Sequence, residues 1–184
     1  MKVFSRCGAF FLICCLIMAL LPFPANAAVY DVFTYEIKDN QVTITGCDQT
    51  AKGKVVVPDT IEGCPVTVIG EDAFSGRRYI TSITLPETVN TIGRLAFYQC
   101  EGMTDINLPS GLTTIEYGVF SLCTNLKSLH IPATVTTINP EAFSCRKLSS
   151  LTVEEGNPVY YSTGNCVIKA ATKEVVVATV HSTI

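Results

Sequence analysis

Three cysteines that fall nearly in step, Cys100, Cys123 and Cys145, raise the first question about chemistry in this chain. Nine Cys are present, and three of them lie within the first 27 residues. The other six are Cys47, Cys64, Cys100, Cys123, Cys145 and Cys166. Six thiols in a secreted chain could form a disulfide framework, with fifteen connectivities open to them. The stepped trio reads differently, because a buried Cys is a small hydrophobe. A ladder of free thiols is the simpler expectation for Cys100, Cys123 and Cys145. Cys47 with Cys64 is then the pair favoured for any disulfide, since both stand outside the ladder. No Cys-x-x-Cys and no paired His are present, so the spacing of a metal site is missing.

The remaining reactive groups are sparse. The two His are His130 and His181. His130 with Ser128 or Asp105 could act as a base, but acid–base catalysis needs a pocket that shifts a pKa. Glu71-Asp72 and Glu154-Glu155 are acidic pairs on turns and read as solvated. No Gly-x-Ser-x-Gly, phosphate-cradling loop, zincin motif, EF-hand loop or Asn-x-Ser/Thr sequon occurs. No catalytic residue, metal or cofactor is expected.

The elements that carry these residues repeat. Ile69, Ile92, Ile115 and Ile138 recur every 23 residues, as do Phe74, Phe97, Phe120 and Phe143. Pro86, Pro109 and Pro132 keep the same step. Ahead of each Pro runs a short alternating segment, Ile80-Thr-Ser-Ile-Thr-Leu-Pro86, Met103-Thr-Asp-Ile-Asn-Leu-Pro109 and Leu126-Lys-Ser-Leu-His-Ile-Pro132. Leu148 to Val153 repeats it, with Glu154 in place of Pro. A fixed period of about 20–29 residues with a Leu/Ile strand signature predicts a leucine-rich-repeat solenoid. The expected fold is a β-dominated right-handed coil with short parallel strands, about 4.8 Å apart, and few helical turns. Stacked Phe side chains form a spine on the return side of each coil.

The unit, with Ile-Gly-x-x-Ala-Phe at Ile69 to Phe74 and Ile92 to Phe97, resembles the BspA-like leucine-rich repeats of bacterial and some protozoan surface proteins. Asn157-Pro158-Val159-Tyr160 followed by Gly164-Asn165-Cys166 is similar to that family's between-repeat segment. The resemblance covers about residues 58–168. It implies a secreted or surface-displayed protein with a role in adhesion or host contact, and no catalytic residues. It also implies that the segment after residue 154 leads into further repeats.

Four segments result. Residues 1–27 read as a secretory signal, with Lys2 and Arg6 before an apolar run and cleavage after Ala27. A lipoprotein signal using Cys14 or Cys15 fits less well, because the apolar run continues past both. Residues 28–57 read as an N-terminal β-hairpin cap, with Thr34–Ile37 and Val42–Thr45 as its strands. Residues 58–153 hold the repeats, with five extra residues around Ile61 to Pro65 and one fewer between Phe143 and Cys145. Residues 154–184 contain a second hairpin, Cys166–Ile168 with Val175–Val177, which either caps the solenoid or precedes further repeats. No other stretch approaches the length of a membrane span.

Charge disfavours nucleic acid or an anionic membrane as the main partner. The chain has 13 Lys and Arg against 16 Asp and Glu. Without Lys2 and Arg6 the balance is 11 against 16, a net charge of −5. There is no basic stripe for nucleic acid. What remains is the outward side of the repeated strands, where Ser82, Thr84, Asp105, Asn107, Lys127, Ser128, His130, Ser150 and Thr152 make a polar patch. Its expected partner is an extracellular protein or glycan. Two other readings are a spacer that displays parts of a larger surface protein, and an accessory domain of a secreted enzyme. Arg77, Arg78, Tyr79, Tyr98 and Tyr117 lie in turns and supply anchors at the edges.

Overall fold

A computed structural model describes residues 32–179. The segment read as a signal, with Ala27, the first residues of the segment read as a cap, and His181 lie outside that range. The described chain is a β-solenoid of about five turns, built from strands and turns with almost no helix. No helix among the described residues is long and apolar enough to cross a membrane.

The hairpin β1 (Phe33–Lys38) and β2 (Gln41–Cys47) opens the fold. Asp39 and Asn40 turn it with positive φ, as a two-residue hairpin turn requires. Two parallel ladders follow from the 23-residue period. The first contains β3 (Gly53–Val56), β6 (Ile80–Thr84) and β8 (Asp105–Ile106), then β10 (Ser128–Ile131) and β12 (Ser150–Val153). The second begins with β2 beside β5 (Cys64–Ile69) and β7 (Thr91–Ile92). It continues with β9 (Thr114–Ile115) beside β11 (Thr137–Ile138). In the first ladder the pairing is interrupted between β8 and β10, and in the second between β7 and β9.

One detail differs from the segment boundaries read in the sequence. Lys54 to Val56 is not part of a separate cap, because β3 pairs in parallel with β6 as the first rung of the ladder. The five extra residues build a tight antiparallel turn, with β4 (Thr60–Ile61) folding back on β5. Glu62 and Gly63 turn it in left-handed conformations.

Every coil closes on the same core. Ile69, Ile92, Ile115, Phe74, Phe97 and Phe120 are all fully buried. The Phe rings stack at centroid distances of 5.3 Å (Phe74–Phe97), 5.8 Å (Phe97–Phe120) and 5.8 Å (Phe120–Phe143). Phe33 of the hairpin meets Phe74 edge-on at 6.1 Å and so closes the spine at its N-terminal end. The return side forms a third line of bonds between coils. Phe74 N–H donates to the Ala96 carbonyl, Phe97 N–H to Val119 and Phe120 N–H to Ala142. The Ile-Gly step has a packing reason. A Cβ on Gly93 would lie 2.7 Å from the Glu71 backbone nitrogen, so the side chain must be absent where the coils approach. Around Ala142 the return becomes a 3-10 turn, Pro140–Ala142, with the Asn139 side chain accepting from Glu141 N–H.

At the C-terminal end, β13 (Tyr160–Thr163), β14 (Cys166–Lys169) and β15 (Val175–Ala178) make an antiparallel sheet of three strands. Two of these strands are those read from the sequence, and β13 is additional. The sheet closes the last coil by side-chain contacts. Ser162 Oγ accepts from Val153 N–H at 3.1 Å, and the Tyr160 hydroxyl accepts from Ile138 N–H at 3.3 Å. Asn157 donates to the carbonyls of Pro132 and Val135 and accepts from the N–H groups of Val159 and Tyr160.

Candidate functional site

The thiols come first, because they are the strongest nucleophiles present. All six among the described residues are buried, and none is in a disulfide. Three repeat one bond. The Cys100 thiol donates to the Phe74 carbonyl at 3.1 Å, Cys123 to Phe97 at 3.1 Å, and Cys145 to Phe120 at 2.9 Å. The missing residue before Cys145 therefore does not break the pattern. One coil earlier the same place is held by Arg77, whose Nε donates to the Cys47 carbonyl at 2.6 Å.

Burial makes these thiols poor nucleophiles. Desolvation pushes Cys100 up to about 12 and Cys47 up to about 11. Cys123 is raised as well, by the neighbouring Cys145 thiol and then by burial. A reactive Cys needs the opposite, a stabilised thiolate that solvent can reach. Cys47 and Cys64, the pair favoured for a disulfide, are not joined. Cys64 donates to the Asn40 side chain at 3.5 Å, while Cys47 sits beside Arg77. Among the described residues no three His, Cys, Asp or Glu side chains are grouped to hold a metal ion.

The outward residues of the first ladder do share one face. Lys54, Ser82 and Asp105 form one row, and Val56 stands beside Thr84 in the next. Beyond the interruption Ser128 pairs with Ser150, and His130 with Thr152. Thr84, Asp105, Lys127, Ser128, His130 and Thr152 are exposed, while Ser82 and Ser150 are half-buried. The face is open, so solvent reaches these side chains. His130 Nδ1 bonds to Thr152 Oγ1 at 2.9 Å, rather than to Ser128 or Asp105.

Asn107 differs from its neighbours on this face. Its side chain donates to the Leu85 carbonyl at 2.9 Å and accepts from Leu85 N–H at 2.8 Å. The amide thus completes the ladder beyond the two-residue strand β8, and its polar atoms are committed to the fold.

Two features were not apparent from the repeat. Arg94 lies over the Tyr117 ring at 5.4 Å, on the turn beside the second ladder. That pair is legible as residues 23 apart in the frame, once the frame is known to stack them. An open groove of about 550 Å³ lies between the last coil and the C-terminal sheet. Ile138, Pro140 and Tyr160 line one part of it, and Lys169, Glu174, Val175 and Val176 the other. Tyr79 is 72% exposed, the most exposed of the large apolar side chains.

Known structures repeat this architecture. A leucine-rich-repeat protein from Bacteroides capillosus is 34% identical, with a TM-score of 0.60 over 67% of this chain and 94% of that one. A leucine-rich-repeat protein of T. pallidum is 27% identical, with a TM-score of 0.60 over 68% of this chain and 70% of that one. One from Bacteroides ovatus is 26% identical, with a TM-score of 0.56 over 70% of this chain and 38% of that one. No curated protein matches the chain. The pattern of the BspA type leucine rich repeat region matches residues 54–169 in 6 copies. With the spine, the ladders and the stacked Ala-Phe turns in place, this chain belongs to the BspA type leucine-rich-repeat family.

Proposed function

We propose that the chain is a secreted or surface-displayed binding module, adhesive in character, whose first-ladder face contacts an extracellular protein or glycan. One observation carries this reading. The face sets unlike polar side chains, Lys54, Ser82, Asp105 and Ser128, at successive rungs of a rigid frame, where a frame alone would need no such variety. Each contact is weak, because the face has no Trp, Tyr or Arg to serve as a hot spot. Useful affinity then comes from many copies acting together. The N-terminal leader supports an extracellular location, as does the family resemblance. The module is read as non-enzymatic, with burial of the thiols and the open setting of His130 supporting that view.

The same lack of aromatic anchors favours a second reading, a spacer that binds nothing itself. Solid-phase binding separates the two. The chain, monomeric and artificially multimerised, is tested on extracellular-matrix proteins, cell surfaces and glycans. Saturable binding that strengthens on multimerisation, and is lost when Asp105, Lys127 and His130 are changed together to Ala, supports the binding face. Asn107 is left intact because it holds the ladder. A folded chain that binds nothing in either form supports the spacer.

A further inference from the structure

The cations of this chain are scattered along the sequence but not over the fold. Successive first-ladder segments begin at Gly53, Ile80, Met103, Leu126 and Leu148. Lys52, Lys54, Arg78, Lys127, Arg146 and Lys147 all fall within about two residues of one of these starts, and all are exposed. Stacking the coils at about 4.8 Å per rung gathers them into one strip about 19 Å long. No run of basic residues announces it, because its members meet only when the coils stack. The acids within the strip are Glu101 and Asp105. Glu101 pairs with Arg78 at 3.4 Å, and no other cation of the strip is in an ion pair among the described residues.

Bonds between rungs hold the strip in place. Gly53 N–H donates to the Tyr79 carbonyl at 2.9 Å, which sets Lys52 beside Tyr79. Lys54 pairs with Ser82, and Ser82 with Asp105. The Asn125 side chain donates to the Glu101 carbonyl at 2.7 Å and accepts from Lys147 Nζ at 2.7 Å, which carries the strip past the gap between β8 and β10. Tyr79, 72% exposed, stands at its margin. One coil on, Gly102 takes that place. A Cβ there would meet the Arg78 and Ile80 carbonyls, so this rung sets no side chain beside the ring. Acids lie to either side of the strip. Glu87 and Glu154 follow the strands, with their carboxylates held by the N–H groups of Ser110 and Ala133. Glu71, Asp72 and Glu141 are exposed on the return side.

We propose that this strip binds a linear anionic polysaccharide laid along the solenoid axis, with its carboxylate or sulfate groups on the Lys and Arg side chains and one sugar ring on Tyr79. The proposal rests on the reading of the first-ladder side as an extracellular binding surface, and it names the ligand class. Charge complementarity selects a polyanion, since the cations lie together on a chain that is acidic elsewhere. Width selects the polysaccharide. The strip is one short strand wide and flanked by acids, so a single narrow chain fits it. A duplex or a bilayer would bring its phosphates against those acids. Single-stranded nucleic acid is held by a row of stacking aromatics, and this strip has Tyr79 alone. Hydroxyls of Thr81, Ser82 and Ser128 lie between the cations and suit the hydroxyls of a sugar.

Binding of the purified chain to immobilised heparin and polygalacturonate tests this, with dextran as the neutral polymer and duplex DNA and anionic vesicles as other polyanions. The chain is expected to bind the acidic polysaccharides, not dextran, and to lose more than about tenfold in affinity between about 50 mM and about 300 mM salt. Lys52→Glu with Arg146→Glu reverses charge at both ends of the strip and is expected to weaken binding by at least about tenfold. Lys38→Glu with Lys169→Glu makes the same change in net charge off the strip and is expected to stay within about twofold. Tyr79→Ala is expected to cost about fivefold. Equal loss in the two charge variants overturns the proposal, as does binding that ignores salt or takes dextran as well. DNA or vesicles held as tightly as heparin overturn the choice of polysaccharide. If the strip variant does not fold, salt dependence and Tyr79→Ala decide. Binding that needs Asp105, Lys127 and His130 but not Lys52 and Arg146 keeps the face and removes the strip. A folded chain that binds none of these polymers overturns the strip, and the panel of proteins and cell surfaces then decides the face.

Discussion

The spine and the strand face run on the same 23-residue step, yet they have come out differently. Inside, two columns hold one residue type over successive coils, Phe74, Phe97, Phe120 and Phe143, and Cys100, Cys123 and Cys145, while others vary only among apolar types, as in Ile80, Met103, Leu126 and Leu148. Outside, the equivalent column reads Thr84, Asn107, His130 and Thr152. An inner side chain packs against its own copies above and below, so its size and shape are set by what it repeats. An outer one answers to solvent on one side and has that freedom. The exception is Asn107, an outer residue whose amide has been drawn into the ladder.

The contrast can be broken from the inside first. Phe120→Ala leaves a cavity between Phe97 and Phe143 and is expected to cost about 3–5 kcal/mol in chemical denaturation. A loss below about 1 kcal/mol would mean that the spine is not a packed unit.

Alkaline pH attacks the same interior through the thiols. Cys100 is raised from an ordinary 9.0 to about 12 by burial. Its stabilising effect is whole below pH 9.0, where both folded and unfolded chains keep the proton. It is lost as pH rises toward about 12, because the unfolded chain ionises and the folded one does not. The expected loss is about 1.4 kcal/mol per pH unit within that window. Denaturation curves at a series of pH values check it, with Cys100→Ala as the reference. If the variant shows the same slope, the loss arises elsewhere.

The outer face should respond less, and unevenly. Asn107→Ala strands the Leu85 N–H and carbonyl and is expected to cost about 1–3 kcal/mol. Lys127→Ala is expected to change stability by no more than about 0.5 kcal/mol. Thermal melts of the two variants side by side sharpen the comparison. Equal losses would put Asn107 back among the ordinary face residues.

The spine and the first ladder were legible in the sequence because large apolar residues at a fixed step admit few other folds. The short-strand segment before each Pro alternates over several residues, which is enough to show its period. Beyond β2, the second ladder was not legible as strand. Thr91–Ile92, Thr114–Ile115 and Thr137–Ile138 are two residues long, too short for any alternation to register. β13 escaped for another reason, since Tyr160 to Thr163 is mostly polar and gains its place from the last coil it covers. On the face, the nine outward residues follow from the register alone. What the register could not tell is which of them the fold uses, since an Asn that bonds a backbone and one that meets water have the same spacing.

The interruptions in the two ladders have a mechanical consequence. The first ladder is open between β8 and β10, and the second between β7 and β9, so the two gaps fall at different junctions between coils. The return-side bonds run across both, from Phe97 to Val119 at one and from Phe120 to Ala142 at the other. The coils are laid like bricks whose vertical joints are offset from course to course. A crack started at either joint meets an unbroken course at the next face, so a pull along the solenoid axis finds no single plane on which to part it.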